Sequence, residues 1–146
     1  MEIREIPIDQ RESGLRLAWN TFLAYAAPAY LQEGITAFWD YLHTKESMAA
    51  LEMWGAYEED RLVGMLATRE QRGHIALFFV AGDRLGQGIG KALFQQVVSC
   101  CPGPRLTVHS SPYAVPVYQR LGFTVDGPER QEDGIRYTPM TYRIRE

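Results

Sequence analysis

The chain has 146 residues, of which 46% are hydrophobic and 23% are charged, with a formal net charge of −3 at pH 7. This length and composition are ordinary for one globular domain, so we expect a single domain over residues 1–146. The negative charge argues against a nucleic-acid-binding protein, which would usually present a basic face.

The sequence also argues against a membrane-spanning protein and against a metal-binding protein. The longest apolar runs fall well short of the roughly 20 residues that span a bilayer, so we expect no transmembrane helix and no membrane partner. The first ten residues contain acids and no apolar stretch typical of a signal peptide, and a cytoplasmic location follows by default. Cys100 and Cys101 are adjacent and lie in no CxxC or Cys/His cluster, so we predict no metal site.

The apolar periodicity predicts seven strands and several helices. Alternation marks a first strand over residues 2–8, with Asp9 as a helix N-cap after it. Helical spacing predicts two helices, from Leu15 to before Pro28 and from 31 to 43, with a short piece at 46–51. The remaining strands are predicted at 53–58, 61–68, 74–80, 105–110, 123–125 and 135–144, and the remaining helices after the glycine-rich loop and at 112–121. This order predicts an α/β fold with a mixed sheet and helices on both faces.

The central feature is the stretch from His74 to Leu93, HIALFFVAGDRLGQGIGKAL. A buried strand leads into a turn with Gly86, Gly88 and Gly90, and a helix follows. Such an arrangement presents free backbone N–H groups to a phosphate, and glycine allows the close approach. We therefore predict an anion site for a phosphorylated cofactor.

Two well-known phosphate loops do not fit this spacing. A Walker loop needs glycine where Leu85 stands and Ser or Thr where Ala92 stands. A dinucleotide loop needs GxGxxG after the first strand, whereas this chain has GxGxG after its fourth.

The stretch from Leu85 to Leu93, LGQGIGKAL, resembles the [QR]-x-x-G-x-[GA] coenzyme A loop of the GNAT superfamily of acetyltransferases. The later stretch SSPYAVPVYQRLGF (110–123) is similar to the second signature of that family, and the element order agrees throughout. The resemblance implies a GNAT-like central sheet of about seven strands, splayed between strands 4 and 5. It also implies acetyl-CoA as cosubstrate and direct transfer of an acetyl group to a primary amine of a small molecule or peptide.

Two positions depart from the family pattern. Leu85 replaces the Gln or Arg that opens the loop, with Arg84 one place early, so phosphate contact would come from Arg84 or from backbone alone. Ser111 stands where an asparagine is frequent, and it can still cap or hydrogen-bond. The cofactor-binding residues that the resemblance implies are Phe78, Phe79, Val80, Leu85, Gly86, Gln87, Gly88, Ile89, Gly90, Lys91, Ser111 and Tyr118.

Tyr118 matches the tyrosine of the family that protonates the leaving thiolate; the alternative is that it packs beside Phe123. The resemblance also implies that a backbone N–H near Phe79 or Val80 stabilises the charge that develops on the thioester oxygen. The general base stays open among His74, Glu33, His109 and ordered water.

The acceptor pocket is expected to draw on the first two helices, where Tyr25 and Tyr30 lie in a loop that could shape its entrance. The segment 132–140 is similar to a terminal hairpin that closes the other side. The mild acidity slightly favours a cationic acceptor. A homodimer is one expectation, since dimers are common for this architecture. The alternatives to an enzyme are a non-catalytic acyl-CoA-binding regulatory module and a partner-binding domain without cofactor.

Overall fold

The computed structural model describes residues 1–145. The strands are β1 Glu2–Glu5, β2 Glu52–Glu58, β3 Arg61–Arg69, β4 His74–Val80, β5 Arg105–Ser110, β6 Thr124–Val125, β7 Arg130–Glu132 and β8 Ile135–Arg143. The α-helices are α1 Glu12–Thr21, α2 Gln32–Leu42, α3 Lys45–Ala49, α4 Ile89–Cys100 and α5 Val115–Leu121. The strand order is β1-β2-β3-β4-β5-β8-β6, with β7 paired to β8, and only the β4–β5 neighbours are parallel. The predicted mixed α/β sheet is confirmed.

Helices cover both faces of the sheet because successive side chains of a buried strand point to opposite faces. In β3, Met65 packs in one apolar cluster with Ala18 of α1 and Leu42 of α2. Its neighbour Leu66 packs in the opposite cluster with Leu93 of α4.

Strands β4 and β5 pair over only two positions, His74 with Thr107 and Ile75 with Val108. Beyond Ile75, a bulge shifts the register of β4 against β3, while β5 stays paired with β8 along its whole length. The two strands therefore part, and one edge of β4 is left open. This is the predicted splay between strands 4 and 5, and it is confirmed.

Two local predictions were wrong. The first strand ends at Glu5 rather than at residue 8, since Pro7 has no N–H to continue the ladder. Asp9 is not the cap of the first helix, because it lies inside a short 3₁₀ turn and α1 begins only at Glu12, where no side chain caps it.

The sequence pattern also missed an eighth strand, β7. Its three residues, Arg130–Glu132, are all exposed and polar, so no alternation marks them. The tight turn through Asp133 and Gly134, both with positive φ, pairs β7 with the start of β8. None of the helices within residues 1–145 is long and apolar enough to cross a membrane.

Candidate active site

A cavity of about 530 Å³ lies where β4 and β5 part. It follows β4 from end to end. We call the part beside Leu85 and Gly90 the loop end, and the part beside Arg69, His74 and Asp133 the hairpin end, because these three residues lie at the β3–β4 and β7–β8 turns. One continuous space therefore connects the glycine loop with the polar residues at the other end of the strand.

The loop end presents unpaired backbone. Gly86 and Gly88 have φ values of +78° and +81°, and a Cβ at either position would meet only open space. Helix α4 begins directly after Gly88, and its first intrahelical bond runs from the Ala92 N–H to the Gly88 carbonyl. The N–H groups of the preceding residues, including Ile89 and Gly90, therefore have no partner within the helix. Free N–H groups at a helix N-terminus are the feature on which the predicted anion site depends.

The guanidinium of Arg84 is paired with carboxylates of the protein. It is hydrogen-bonded to the carboxylate of Glu58 and lies 3.3 Å from Asp83 Oδ2, and Asp83 also accepts from Arg61 at 2.9 Å. Leu85, which stands where the family pattern has a polar residue, is 48% exposed. The arrangement thus supports phosphate contact through the backbone rather than through Arg84.

The open edge of β4 offers further backbone groups. The Ala81 N–H donates to the Val63 carbonyl of β3 at 2.8 Å, so it points away from the parted strands. Because successive residues of a strand turn their N–H groups to opposite edges, those of Val80 and Phe78 point into the cavity. Of the two positions predicted for the oxyanion donor, the alternation favours Val80 over Phe79.

Tyr118 lies in the cavity wall opposite this edge. It is only 6% exposed, and its ring packs edge-on against Phe78 and Phe123, with centroids 6.0 and 5.1 Å away. Burial raises the pKa of its phenol well above the usual value near 10. The hydroxyl of Ser111 accepts from the Ala114 N–H at 3.3 Å and caps the turn that leads into α5. Tyr118 thus both packs, as one alternative expected, and borders the cavity.

Comparison with known families identifies the family of proteins to which this chain belongs. The model of the acetyltransferase (GNAT) domain matches residues 26–144, which include the glycine loop, both parted strands and Tyr118. The chain belongs to the GNAT acetyltransferase family. It is therefore an acetyltransferase.

Relatives of this GNAT enzyme agree. A peptidyl-lysine N-acetyltransferase, YjaB of Salmonella typhimurium, is 32% identical over 119 residues, which cover 80% of this chain and 74% of that protein. The fold is similar to that of a GCN5-related N-acetyltransferase from Rhodopseudomonas palustris, with a TM-score of 0.83, 18% identity, and 97% and 94% of the two chains covered. It also resembles PaiA N-acetyltransferase from Thermoplasma acidophilum in complex with coenzyme A (TM-score 0.74, 17% identity, 97% and 98% covered).

The three residues considered as general base lie in different surroundings. His74 is 5% exposed and lines the cavity, and burial, with Arg69 and His109 nearby, lowers its pKa to about 4. Its Nδ1 lies 2.7 Å from the hydroxyl of Thr107, which in turn donates to the Gly73 carbonyl. With the Thr107 hydroxyl donating to Gly73, this hydrogen-bond network assigns the proton to Nδ1 and leaves Nε2 as the acceptor.

His109 and Glu33 differ from it. The ring of His109 meets that of His74 edge-on, with centroids 4.9 Å apart. Burial, and to a lesser degree the charge of Arg69, lowers the pKa of His109 as well. Glu33 is exposed in the first turn of α2 and is not among the residues that line the cavity. The structure brings the two histidines together and leaves Glu33 apart.

The sequence analysis did not name three residues that line the cavity: Arg69, Tyr113 and Asp133. Tyr113 and Asp133 nevertheless lie in the predicted signature 110–123 and in the segment 132–140 that was expected to close the pocket. Arg69 pairs directly with His74 across the β3–β4 hairpin, which the sequence could have indicated, since both flank a four-residue turn. Tyr113 stacks on Tyr25 at 5.7 Å, and Asp133 comes from the turn before β8. Within residues 1–145, no group of three His, Cys, Asp or Glu side chains is placed to hold a metal ion.

Proposed function

We propose that this GNAT enzyme transfers the acetyl group of acetyl-CoA to a primary amine of a small molecule or peptide, by direct attack of the amine on the thioester. One observation carries the proposal: Gly90 of the phosphate loop, Tyr118 and His74 all line one cavity. The pyrophosphate would lie on the N-terminus of α4, and the pantetheine arm would follow the open edge of β4. The thioester would then lie between the Phe78 N–H and the Tyr118 hydroxyl, since the ring of Tyr118 packs against Phe78.

The reaction forms a C–N bond and breaks a C–S bond. As the amine attacks, charge develops on the thioester oxygen, and a backbone N–H of Val80 or Phe78 can stabilise it without reorganisation. When the C–S bond breaks, the electron pair stays on sulfur, and the Tyr118 hydroxyl donates to it. Because burial raises the pKa of Tyr118, the phenol stays protonated at neutral pH. Its raised pKa favours hydrogen-bond donation to the thiolate over complete proton transfer.

The amine must also lose a proton. With a pKa of about 4, His74 is neutral at pH 7 and has Nε2 free to accept a hydrogen bond. An alkylammonium group has a pKa near 10, so transfer of its proton to such a weak base is strongly unfavourable. We therefore assign the removal of the proton to water, with the neutral Nε2 of His74 accepting a hydrogen bond from the amine or from that water. The position of Glu33 gives its candidacy as the base no support.

A binding module without chemistry is the competing function. Calorimetric titration of acetyl-CoA tests binding, and release of free thiol with a panel of amines, including a lysine peptide, tests turnover. We expect Tyr118→Phe to lower turnover about 100-fold with cofactor affinity unchanged. Tyr142→Phe is the matched control, since Tyr142 packs on Phe94 outside this cavity. Acetyl-CoA binding without thiol release for any amine would favour the module, and equal turnover in Tyr118→Phe would remove the tyrosine from the chemistry.

A further inference from the structure

The hairpin end of the cavity contains a cation whose buried part is unsatisfied. The side chain of Arg69 is 37% exposed overall, but its Nε is buried and has no hydrogen-bond partner within residues 1–145. The carboxylate of Glu70 lies 4.0 Å from that Nε, beyond hydrogen-bonding distance, and its own side chain is 69% exposed. Because Nε is closed off from solvent, a ligand in the cavity would be bound by the exposed remainder of the guanidinium, whose N–H groups border the cavity.

The charges around Arg69 leave it as the dominant positive group there. Its charge helps to lower the pKa values of both His74 and His109, so the two rings are neutral at pH 7. Burial raises the pKa of Tyr41, and the charge of Arg69 and a hydrogen bond between the two side chains oppose that rise, so Tyr41 is a direct neighbour of the guanidinium. Among the cavity residues within 1–145, Asp133 is the one carboxylate, and it comes from the other hairpin. The wall therefore offers one cation and one anion on two different turns.

A strained turn fixes Arg69 in this position. Glu70, Gln71 and Arg72 have φ values of +57°, +58° and +68°, so three successive non-glycine residues are left-handed. Each costs about 1–2 kcal/mol, and such strain is typical of functional sites. The turn is held by the bond from Arg72 Nε to Glu52 Oε2 at 2.6 Å. As a result Arg69 stands directly opposite His74, and the two side chains share the face of the sheet that borders the cavity.

Farther along β4, beside Phe79, the same cavity is lined by aromatic rings. Phe22 and Phe38 stack with centroids 4.1 Å apart, and Tyr30 tilts against Phe22 at 5.4 Å. All three line the same cavity. A flat apolar group fits against such rings.

From these contacts we infer that the acceptor is an amino acid with an aromatic or large apolar side chain, whose carboxylate is bound by Arg69. This inference rests on the proposed acetyl transfer. A guanidinium recognises a carboxylate through paired N–H groups, whereas it repels the second cation of a polyamine or basic peptide. Arg69 acts here as a specificity residue, since it contacts the acceptor away from the reacting atoms.

The kinetic test compares matched pairs of amines that differ only in a carboxylate: L-phenylalanine with phenethylamine, and L-leucine with 3-methylbutylamine. We expect the wild-type kcat/KM to be at least 30-fold higher for the amino acids. Arg69→Gln should remove that preference by lowering kcat/KM for the amino acids alone, and Arg69→Lys should keep part of it. Arg16→Gln, which alters an exposed arginine paired with Glu12, is the control.

A binding test separates this inference from the proposed reaction. Calorimetry measures the affinity of 3-phenylpropanoate, which has no amine, for the complex of the protein with coenzyme A. We expect Arg69→Gln to weaken it at least 10-fold, with thermal melting showing that the variant folds. Arg69-dependent binding without any acetyl transfer would support the carboxylate site and overturn the proposed reaction. Acetylation of amines with no carboxylate preference, or of a lysine peptide unaffected by Arg69→Gln, would overturn this inference and leave the reaction standing.

Discussion

The loop end of the cavity is built mainly from backbone, whereas the hairpin end is built from the side chains of separate elements. Gly86, Gly88 and the first turn of α4 supply N–H groups within a few consecutive residues. Arg69, His109 and Asp133 come from three different strands and turns. Backbone N–H groups are the same in every residue except proline, so the loop end is suited to a ligand that does not vary, such as the phosphates of a cofactor. Side chains can be exchanged without altering the fold, and the hairpin end is therefore where substrate choice is set.

The largest expected effect is a loss of acetyl-CoA affinity caused by a substitution at the loop end alone. Gly88→Val places a β-branched residue at φ +81°, a conformation that such residues rarely adopt, and its side chain fills the space in front of the α4 N-terminus. We expect the Kd for acetyl-CoA, measured by calorimetry, to rise by about 100-fold or more. Gly127→Val is the control, since its Cβ also meets open space but its φ is not left-handed. Unchanged affinity in Gly88→Val would show that the phosphates bind elsewhere.

The next largest effect is expected from a substitution that disturbs the hairpin end. Helix α2 touches the β7–β8 turn through two glycines, and a Cβ on Gly34 would lie 2.2 Å from the Gly134 carbonyl oxygen. The carbonyl oxygen and carbonyl carbon of Gly134 are backbone atoms, so the clash cannot be relieved by the movement of a side chain. We expect Gly34→Ala to lower the free energy of unfolding by about 2–3 kcal/mol in urea titrations. In the folded fraction, the KM for the amine should rise while the Kd for acetyl-CoA stays the same, with Gly127→Ala as control. A parallel loss of cofactor affinity would mean that the two ends are not independent.

The same contrast explains what the sequence could and could not predict. The strand His74–Val80 and the loop after it form one continuous pattern, which together with the signature 110–123 carried the resemblance to the GNAT family. The fold and the splay that this resemblance implied are confirmed, whereas the roles of the glycine loop and of Tyr118 stay predictions that rest on local motifs. The position of Arg69 opposite His74 could be predicted from the hairpin, but its place in the cavity could not, since a charged residue at the end of a strand resembles any solvated one. That place depends on the left-handed conformation of Glu70–Arg72, none of which is a glycine.

A smaller effect is expected from pH at the hairpin end. The pKa of His74 is about 4 when folded and near 6.5 when unfolded, so between these values the unfolded chain binds more protons. Stability therefore rises with pH across this window and is lost on acidification, by about 2 kcal/mol between pH 6.5 and 4. Thermal melts of His74→Gln should show a flatter dependence than the wild type, whereas His43→Gln, which changes an exposed histidine, should follow the wild type. Equal slopes in wild type and His74→Gln would mean that other groups govern the acid loss.

The smallest expected effect returns to the loop end and asks whether it is backbone alone. Arg84 is the basic residue nearest in sequence to the missing Gln or Arg of the family pattern, yet its guanidinium bonds to Glu58 and lies near Asp83. We expect Arg84→Ala to change the Kd for acetyl-CoA less than about 3-fold and stability by less than about 1 kcal/mol, as is typical of ion pairs near the surface. Glu58→Gln is the informative partner variant, because it would free Arg84 to reach a phosphate. If Glu58→Gln tightens binding and Arg84→Ala does not weaken it, Glu58 holds the arginine away from the ligand. A loss of tenfold or more in Arg84→Ala would instead mean that Arg84 leaves Glu58 when the cofactor binds, and that a side chain supplements the backbone at this end.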